Sequence, residues 1–458
     1  MMDLFDSPRF NRVFFRDAEY PGSVMCTAID DAARLLREGV ERDSPFVYLF
    51  APNHPKTITA YFAAIRAGFV VVLVPPDIGR LELAEMREDS PPCALIRPRS
   101  DTLDCFLNVG DIEFTTPCDY AIDSDTLGNV CTIVYTAADD GYAKGAMLTK
   151  SNLASNAASL SECANITPQT TSCALLPFSH LFGLQTGAIT PISTGGSFVI
   201  PEVNLSHIAS TARRIEGIGV TELYSIPAVY YLLSKLGASA DWLRKVRNLT
   251  SGAYKLSPRI ARAFHRNTGR AIQEGYGLAE ASPICTWHRR GDTINADSVG
   301  RPLPGCSVQP LDDKGNVLPR GVEGELAIRG ANVMAGYWRR AESTSHTLRN
   351  GWLRTGDIGM TNAAEYVFLT GRKKRMLNVG GRKVYLAEME RLLSKPPYVT
   401  NVSIHTNVDK NGAEQAVAYI QLDNNDLHKQ HTHHSWCESH ISAYKLRPLH
   451  ILYAPPEA

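Results

Sequence analysis

Two almost uninterrupted apolar runs, FVYLFAP at residues 46–52 and FVVVLVP at 69–75, flank HPKTITAYFAAIRAG, which carries Pro55 near its start and Gly68 after its end. Apolar runs of that length joined by a proline-led, glycine-stopped segment compose a strand, helix, strand unit, and strands joined in this way lie parallel. The alternation returns downstream as SCALLPF, a helix from about Gly183, SFVIPE, a helix around residues 207–217, VTELYSIP, a helix at 227–236, VRNLTSGA, a helix at 258–267, and AIQEGYG. An α/β fold with parallel strands and helical crossovers is the expectation.

At 458 residues the chain is too long for one ordinary core and points to at least two domains, which its 44% apolar content can fill. From about Ser298 the composition shifts to glycine, proline and short alternating segments such as SVQPLDD and GELAIRG, the pattern of a small β-rich subdomain. The large part, residues 1–370, ends there, and residues 371–458 hold strands MLNVGGRKV, VSIHT and AVAYIQL with helices at about 386–395 and 434–443, a small α+β domain.

Lys plus Arg and Asp plus Glu both number 47, so no net charge draws the chain to nucleic acid or to an anionic membrane. No apolar run is long enough for a membrane span, and the N-terminal MMDLFDSPRF lacks the apolar core of a signal peptide, so a cytoplasmic location is expected. The ten cysteines include no Cys-x-x-Cys pair and read as reduced core residues. LHKQHTHHSWCESH, residues 427–440, gathers five histidines with Cys437, residue types that can hold a transition metal. Their spacing is irregular, and a solvated polar loop leading into a helix is the favoured reading.

One stretch looks altered. YTAADDGYAKG (135–145) follows the apolar CTIVY and precedes TKSNLASNAASL, where Ser151 or Asn152 can cap a helix. Strand, loop and helix in that order form the geometry in which backbone amides bind an anion. Alone, the loop reads better as a surface turn rich in Gly and Asp. Further along come LPFSHLFGL (175–183), SGAYKLSP (251–258), EGYGLAEASP (274–283), GELAIRG (324–330), GWLRTGDIG (351–359) and GRKKRMLNVGGRKVYLAEME (371–390).

In that order, these segments resemble the adenylate-forming superfamily: acyl-CoA and aryl-CoA ligases, acyl-carrier-protein ligases, adenylation domains of peptide synthetases, and luciferases. The resemblance runs from about residue 28 to about residue 453. It implies a large N-terminal domain of two stacked, doubly wound sheets plus the β-rich subdomain, and a small mobile α+β lid, here shortened, with Lys374 of GRKK at the hinge. It implies a reaction in which a carboxylate attacks the α-phosphate of ATP to give an acyl-adenylate and a thiol then displaces AMP.

By the same resemblance Asp357 accepts from the ribose hydroxyls, Arg372 touches the ribose, Tyr276 and Gly277 wall the adenine with Gly252 and Ala253 beside them, and Glu280 holds magnesium. His180 matches the gating histidine, and Lys144 the loop lysine. Phe182, Ser225, Ile226, Pro227, Ser251 and Gly275 map to acyl-pocket walls, and Gly380 and Gly381 to the thiol tunnel. No counterpart of the amino-group aspartate is found, which favours a fatty or aryl carboxylic acid, or its activated form, over an amino acid. CoA, an acyl carrier protein or an amine is the implied acceptor.

Phosphate handling departs from the family. Ala137, Ala138, Asp139, Asp140 and Ala143 replace the serine, first glycine, both threonines and proline of the loop, and Ala279 replaces the threonine before the magnesium glutamate. YKLRP matches the family string at Tyr444, Lys445 and Pro448, but the chain stops at Ala458, before the adenylation lysine. Two carboxylates about 4 Å from a triphosphate oxygen each oppose binding by roughly 1 to 4 kcal/mol unless a metal intervenes. AMP or an acyl-adenylate is therefore the expected ligand, with ATP and Mg²⁺ in doubt. The alternatives are that Asp139 and Asp140 hold an extra Mg²⁺, or that the chain is a non-catalytic ligand- or partner-binding relative.

Overall fold

The first unit forms as the sequence indicates: strands Phe46–Phe50 and Val70–Val74 pair in parallel, every residue of both is buried, and helix Pro55–Arg66 joins them. Pro55 opens the helix, His54 caps it by accepting from the Lys56 amide, and Gly68 turns the chain at φ +90° after its end. The computed structural model describes the chain apart from residues 1–3, 17, 40–43, 100, 102, 116–126, 137–141, 202–207, 236–241, 254, 290–291, 293–296, 373–375, 380–381, 409–413, 424–426, 448 and 455–458, and gives backbone alone for Arg372 and several other residues.

Among the described residues, one sheet runs Gly336–Tyr337, Lys144–Thr149, Val130–Thr136, Val70–Val74, Phe46–Phe50, Pro92–Ile96, Ile112–Phe114. A second runs Arg301–Pro302, Ile284–Trp287, Gln273–Gly277, Asn248–Ser251, Glu222–Ser225, Thr171–Cys173, Ser197–Ile200, Arg12–Phe15, Ala18–Pro21. The interior pairs are parallel and the edges antiparallel. Val47, Leu49, Val71 and Leu73 of the first sheet share one apolar cluster with Val13, Phe15, Phe198 and Ile200 of the second, as a doubly wound α/β fold requires. A further sheet orders Cys306–Leu311, Gly324–Gly330, Trp352–Thr361 and Leu348–Arg349, with Val367–Arg372 beside Trp352–Thr361.

The chain divides into two compact units, one of residues 1–76, 92–134 and 146–371, the other of 77–91, 135–145 and 372–458. In the second, Val399–Val408 pairs antiparallel with Glu414–Leu422, which pairs in parallel with Leu449–Ala454. Helices Leu386–Leu393 and Leu427–His440 and residue Leu81 of helix Arg80–Asp89 pack with them around Leu377, Met389, Ile404 and Ile420.

Two local readings are corrected. The segment after strand Val130–Thr136 leads to another strand, Lys144–Thr149, and only then to helix Lys150–Ala164. The cap is Thr149, whose hydroxyl accepts from the Asn152 amide while Asn152 Oδ1 accepts from the Thr149 amide; Ser151 hydrogen-bonds the Thr149 hydroxyl. That helix start therefore lies beyond a whole strand, and Lys144 and Gly145 are strand residues. The histidine-rich stretch is helical from Leu427 rather than a loop leading into a helix. Its buried His433 bonds the Leu393 carbonyl and the Tyr453 hydroxyl, one turn from buried Cys437, and no metal-binding group of three or more such side chains occurs among the described residues. No helix of the described residues is long and apolar enough to cross a membrane.

Candidate functional site

Strands Glu222–Ser225, Asn248–Ser251 and Gln273–Gly277 end at or just before Ser225–Pro227, Ser251–Ala253 and Gly275–Gly277, the edge at which doubly wound sheets bind ligands. Tyr276 and Asp357, far apart in sequence, meet there: the Tyr276 hydroxyl donates to Asp357 Oδ2 at 2.7 Å, and both side chains are buried. Burial, and then the Asp357 charge, push the phenol well above its ordinary range, so Tyr276 remains a donor at neutral pH. A carboxylate has room for further donors beside this one. Gly356, at φ +73°, sits at the register shift inside strand Trp352–Thr361 just before Asp357, its amide donating to Glu325 Oε1, and the Asp357 amide donates to the Thr355 hydroxyl.

The backbone around Tyr276 is fixed tightly. A Cβ on Gly277 would lie 1.8 Å from the Pro283 carbonyl oxygen, so only glycine fits. Ala253 adopts φ +70°, a left-handed conformation that costs a residue with a side chain about 1 kcal/mol or more and that clusters at functional sites. Glu280 sits on the short turn Ala279–Ala281, largely buried; its Oε1 accepts from the Tyr337 hydroxyl at 3.0 Å, and its carbonyl accepts from the Met334 amide. His180 caps the helix beginning at Leu181, its Nδ1 accepting from the Phe182 amide at 3.3 Å.

Strand alternation sorts the residues expected at an acyl wall onto two faces. Ser225, Ser251 and Glu274 are register partners across three parallel strands and project to one side. The other side carries Tyr224, Ile226, Gly252 and Gly275, together with Trp287, the cross-strand partner of Gly275. Phe182 joins this second group, its ring 2.9 Å from where a Gly252 Cβ would stand. Ser225 thus parts from Phe182, Ile226 and Gly275, while Pro227 opens the next helix, Pro227–Leu233. On the Ser225 face, Glu274 is pushed up to about 7 by burial, against the pull of its bond from the Leu256 amide and the Lys255 charge.

Lys144 and the backbone of Arg372 fall in the second compact unit. Lys374, Ala137, Ala138, Asp139, Asp140, Gly380, Gly381 and Pro448 lie outside the described residues. Sequence reading missed Tyr337 on Glu280, Trp287 over Gly275, and the buried Glu274. No local pattern marks them: strand Ile284–Trp287 is buried at every position, and the pairing of Trp287 with Gly275 appears only with the register.

The chain matches the family described as AMP-binding enzyme over residues 25–338. It is similar to an indoleacetate–CoA ligase of Aromatoleum aromaticum, 28% identical over 439 residues, covering 91% of this chain and 85% of the relative. A feruloyl-CoA synthase of Amycolatopsis sp. is 27% identical over 431 residues, covering 90% and 85%. In fold, the chain resembles a malonyl-CoA ligase in a ternary product complex with methylmalonyl-CoA and AMP, with TM-score 0.80 and 24% identity, covering 99% of this chain and 97% of the other.

Proposed function

The chain belongs to the AMP-binding enzyme family, and from that premise we propose that it joins a fatty or aryl carboxylic acid to a thiol, that of CoA by preference, through an acyl-adenylate. The observation that carries the reading is the buried Tyr276–Asp357 bond, which brings the YGLAE and RTGD segments together as a nucleoside site would need. Asp357 would accept from the ribose hydroxyls while Tyr276 and Gly277 wall the base, with Gly252 and Ala253 beside them. The relatives named for ligation of indoleacetate and ferulate to CoA support an acid with an aromatic body.

The residues fit a magnesium ion at Glu280, since magnesium takes one or two carboxylates together with phosphate oxygens. Bound there it would neutralise phosphate charge. Tyr337 orients that carboxylate through its hydrogen bond. His180, anchored as a helix cap, would border the path of the acid and the thiol.

A slowed adenylation step is part of the proposal, supported by Asp139 and Asp140 in place of hydroxyl donors and by Ala279 before Glu280. Electrostatic stabilisation of the phosphates is the main catalytic lever of that step, and carboxylates oppose it. Pyrophosphate exchange with a panel of fatty and aryl acids, followed by detection of the CoA thioester, tests the reading. Slow exchange that quickens when Asp139 and Asp140 are changed to Thr supports it in full. Thioester formed only from a supplied acyl-adenylate supports transfer without activation. Absence of both, with no rise in Tm from AMP or an acyl-sulfamoyl-adenosine, rejects the ligase and leaves a binding protein on the same fold.

A further inference from the structure

From Trp242 to Gln273 the chain holds six arginines and two lysines and no Asp or Glu, although its charges of either sign are equal in number overall. Two of these arginines serve the fold. Arg247 pairs with the buried Glu222 at 3.2 Å, and Arg270 donates to the carbonyls of Leu243, Arg244 and Arg247. Arg259, Arg262 and Arg266 do not: all three are exposed on helix Pro258–Thr268, and among the described residues their side chains make no hydrogen bond or ion pair.

Their placement is regular. Phe264 and Thr268 form the buried side of the helix. At 3.6 residues per turn the three arginines fall within about 60° of arc opposite Phe264, spread over about 10 Å of helix. The helix alone gains nothing from this, since arginine in the first turn opposes the helix dipole and like charges three or four residues apart repel. Asn267 donates to the Ser234 carbonyl at 2.7 Å and the Tyr230 ring meets Phe264 edge-on, so helix Pro227–Leu233 lies alongside. It presents Tyr231, 40% exposed, with Lys235 over the ring.

We propose that this arginine face docks an acidic helix of a partner protein, whose carboxylates repeat at three- and four-residue spacing and meet Arg259, Arg262 and Arg266 in turn. Forked guanidinium groups match carboxylates two bonds at a time, and arginine with tyrosine is the composition of protein interfaces. A lipid surface would ask for large apolar side chains to insert among the cations, and on these two helices Tyr231 is the one large apolar residue exposed among those described. None of these residues is assigned to the nucleotide or the acid, so the inference stands apart from the ligase reading.

The test titrates the full chain at low ionic strength with a fluorescein-labelled, alanine-based helical peptide carrying glutamates at that spacing on one face. A peptide of the same composition with its glutamates spread around the helix, and phosphatidylserine vesicles, are the comparisons. The wild type is expected to bind the striped peptide about tenfold more tightly than the spread one. Each exchange of one of the three arginines for Gln should weaken the striped peptide about threefold, and the triple variant about thirtyfold. Lys314→Gln, which removes an exposed charge elsewhere, should change nothing. The variants should keep or slightly raise Tm as repulsion is relieved, and Arg262→Gln alone decides the matter should the triple variant not fold. Equal binding of the two peptides, undiminished binding by the triple variant, or no binding of the striped peptide, with or without binding of vesicles, overturns the inference. A Tm rise from AMP that disappears with the arginines would place them at the nucleotide and overturn it as well; the same rise in both proteins supports a separate docking face.

Discussion

The wall around Gly275 and the Lys445 cluster of the second compact unit are held together by opposite means. In the wall, two glycines admit aromatic rings to the sheet surface and the interior is almost entirely apolar. In the second unit, Lys445 lies buried between Glu82 at 2.6 Å and Glu388 at 2.7 Å, and Glu82 also accepts from the Ser442 amide and hydroxyl. The wall answers to volume, the Lys445 cluster to charge. A size change in the first and a charge change in the second should therefore give the large effects, and the reverse exchange small ones.

Lys445→Met probes the charge side most sharply. It leaves two carboxylates, one of them almost fully buried, without their cation. Burial already pushes the Glu388 carboxyl up, and Lys445 pulls it back. Removing one partner of a buried pair costs about 3–5 kcal/mol, and replacing Glu388 by Leu and Glu82 by Gln in the same protein should recover much of it. Denaturant midpoints measure both. A loss under about 1 kcal/mol would show that water reaches this cluster and that charge does not hold the unit. On the volume side, Gly277→Ala drives a methyl into the Pro283 carbonyl, a backbone atom with no rotamer to yield, for an expected loss of about 3 kcal/mol. Gly275→Ala meets the Trp287 ring and the Thr286 carbonyl at 3.0–3.2 Å and should cost about 1–2 kcal/mol.

The same contrast governs what the sequence discloses. Phe46–Phe50, Pro55–Arg66 and Val70–Val74 are legible because apolar runs and punctuating Pro and Gly are local signals. The order of motifs likewise points to Asp357, Tyr276 and Glu280. The histidine-rich helix Leu427–His440 escapes because its side chains show no apolar stripe, and its buried anchors, His433 and Cys437, are polar or small. Strand Lys144–Thr149 is not legible because Ser151 and Asn152 read locally as helix caps, whereas Thr149 closes the strand and caps the helix at once. Tyr337 on Glu280 and Glu82 on Lys445 are pairings across 57 and more than 300 residues, which no local pattern encodes.

Glu274 crosses the two regimes, being a carboxyl buried at the sheet end beside the apolar wall. Its folded value of about 7 lies above the ordinary 4.5, so between those pH values the folded protein keeps a proton that the unfolded chain releases. Its contribution is complete below the unfolded value and is lost as pH rises toward 7. Glu274→Gln, which can still accept from the Leu256 amide, should match the wild type at pH 4 and exceed its stability by about 2 kcal/mol at pH 8. Equal stability curves across that range would mean that the carboxylate is solvated at the sheet end.

The smallest effect belongs to the half-buried ion pair of the second unit. Arg391 grips Glu85 with two bonds, at 2.6 and 2.8 Å, and lies over the Tyr142 ring at 4.4 Å, while Lys395 stands 3.4 Å from the same carboxylate. Burial alone would raise the Glu85 carboxyl, but the bonds and charge of Arg391, then Lys395, hold it below the ordinary range. For such a group the stabilisation is present above the unfolded value and disappears as pH falls through the folded one. Arg391→Met should therefore cost about 1 kcal/mol at neutral pH and low salt, with Lys395 and solvent screening limiting the loss, and nearly nothing once Glu85 is protonated. Raising the salt should shrink the wild-type advantage in the same direction. If the cost instead persists unchanged in acid and in salt, packing of the guanidinium on Tyr142 is its source, and this corner of the second unit follows the aromatic rule of the wall.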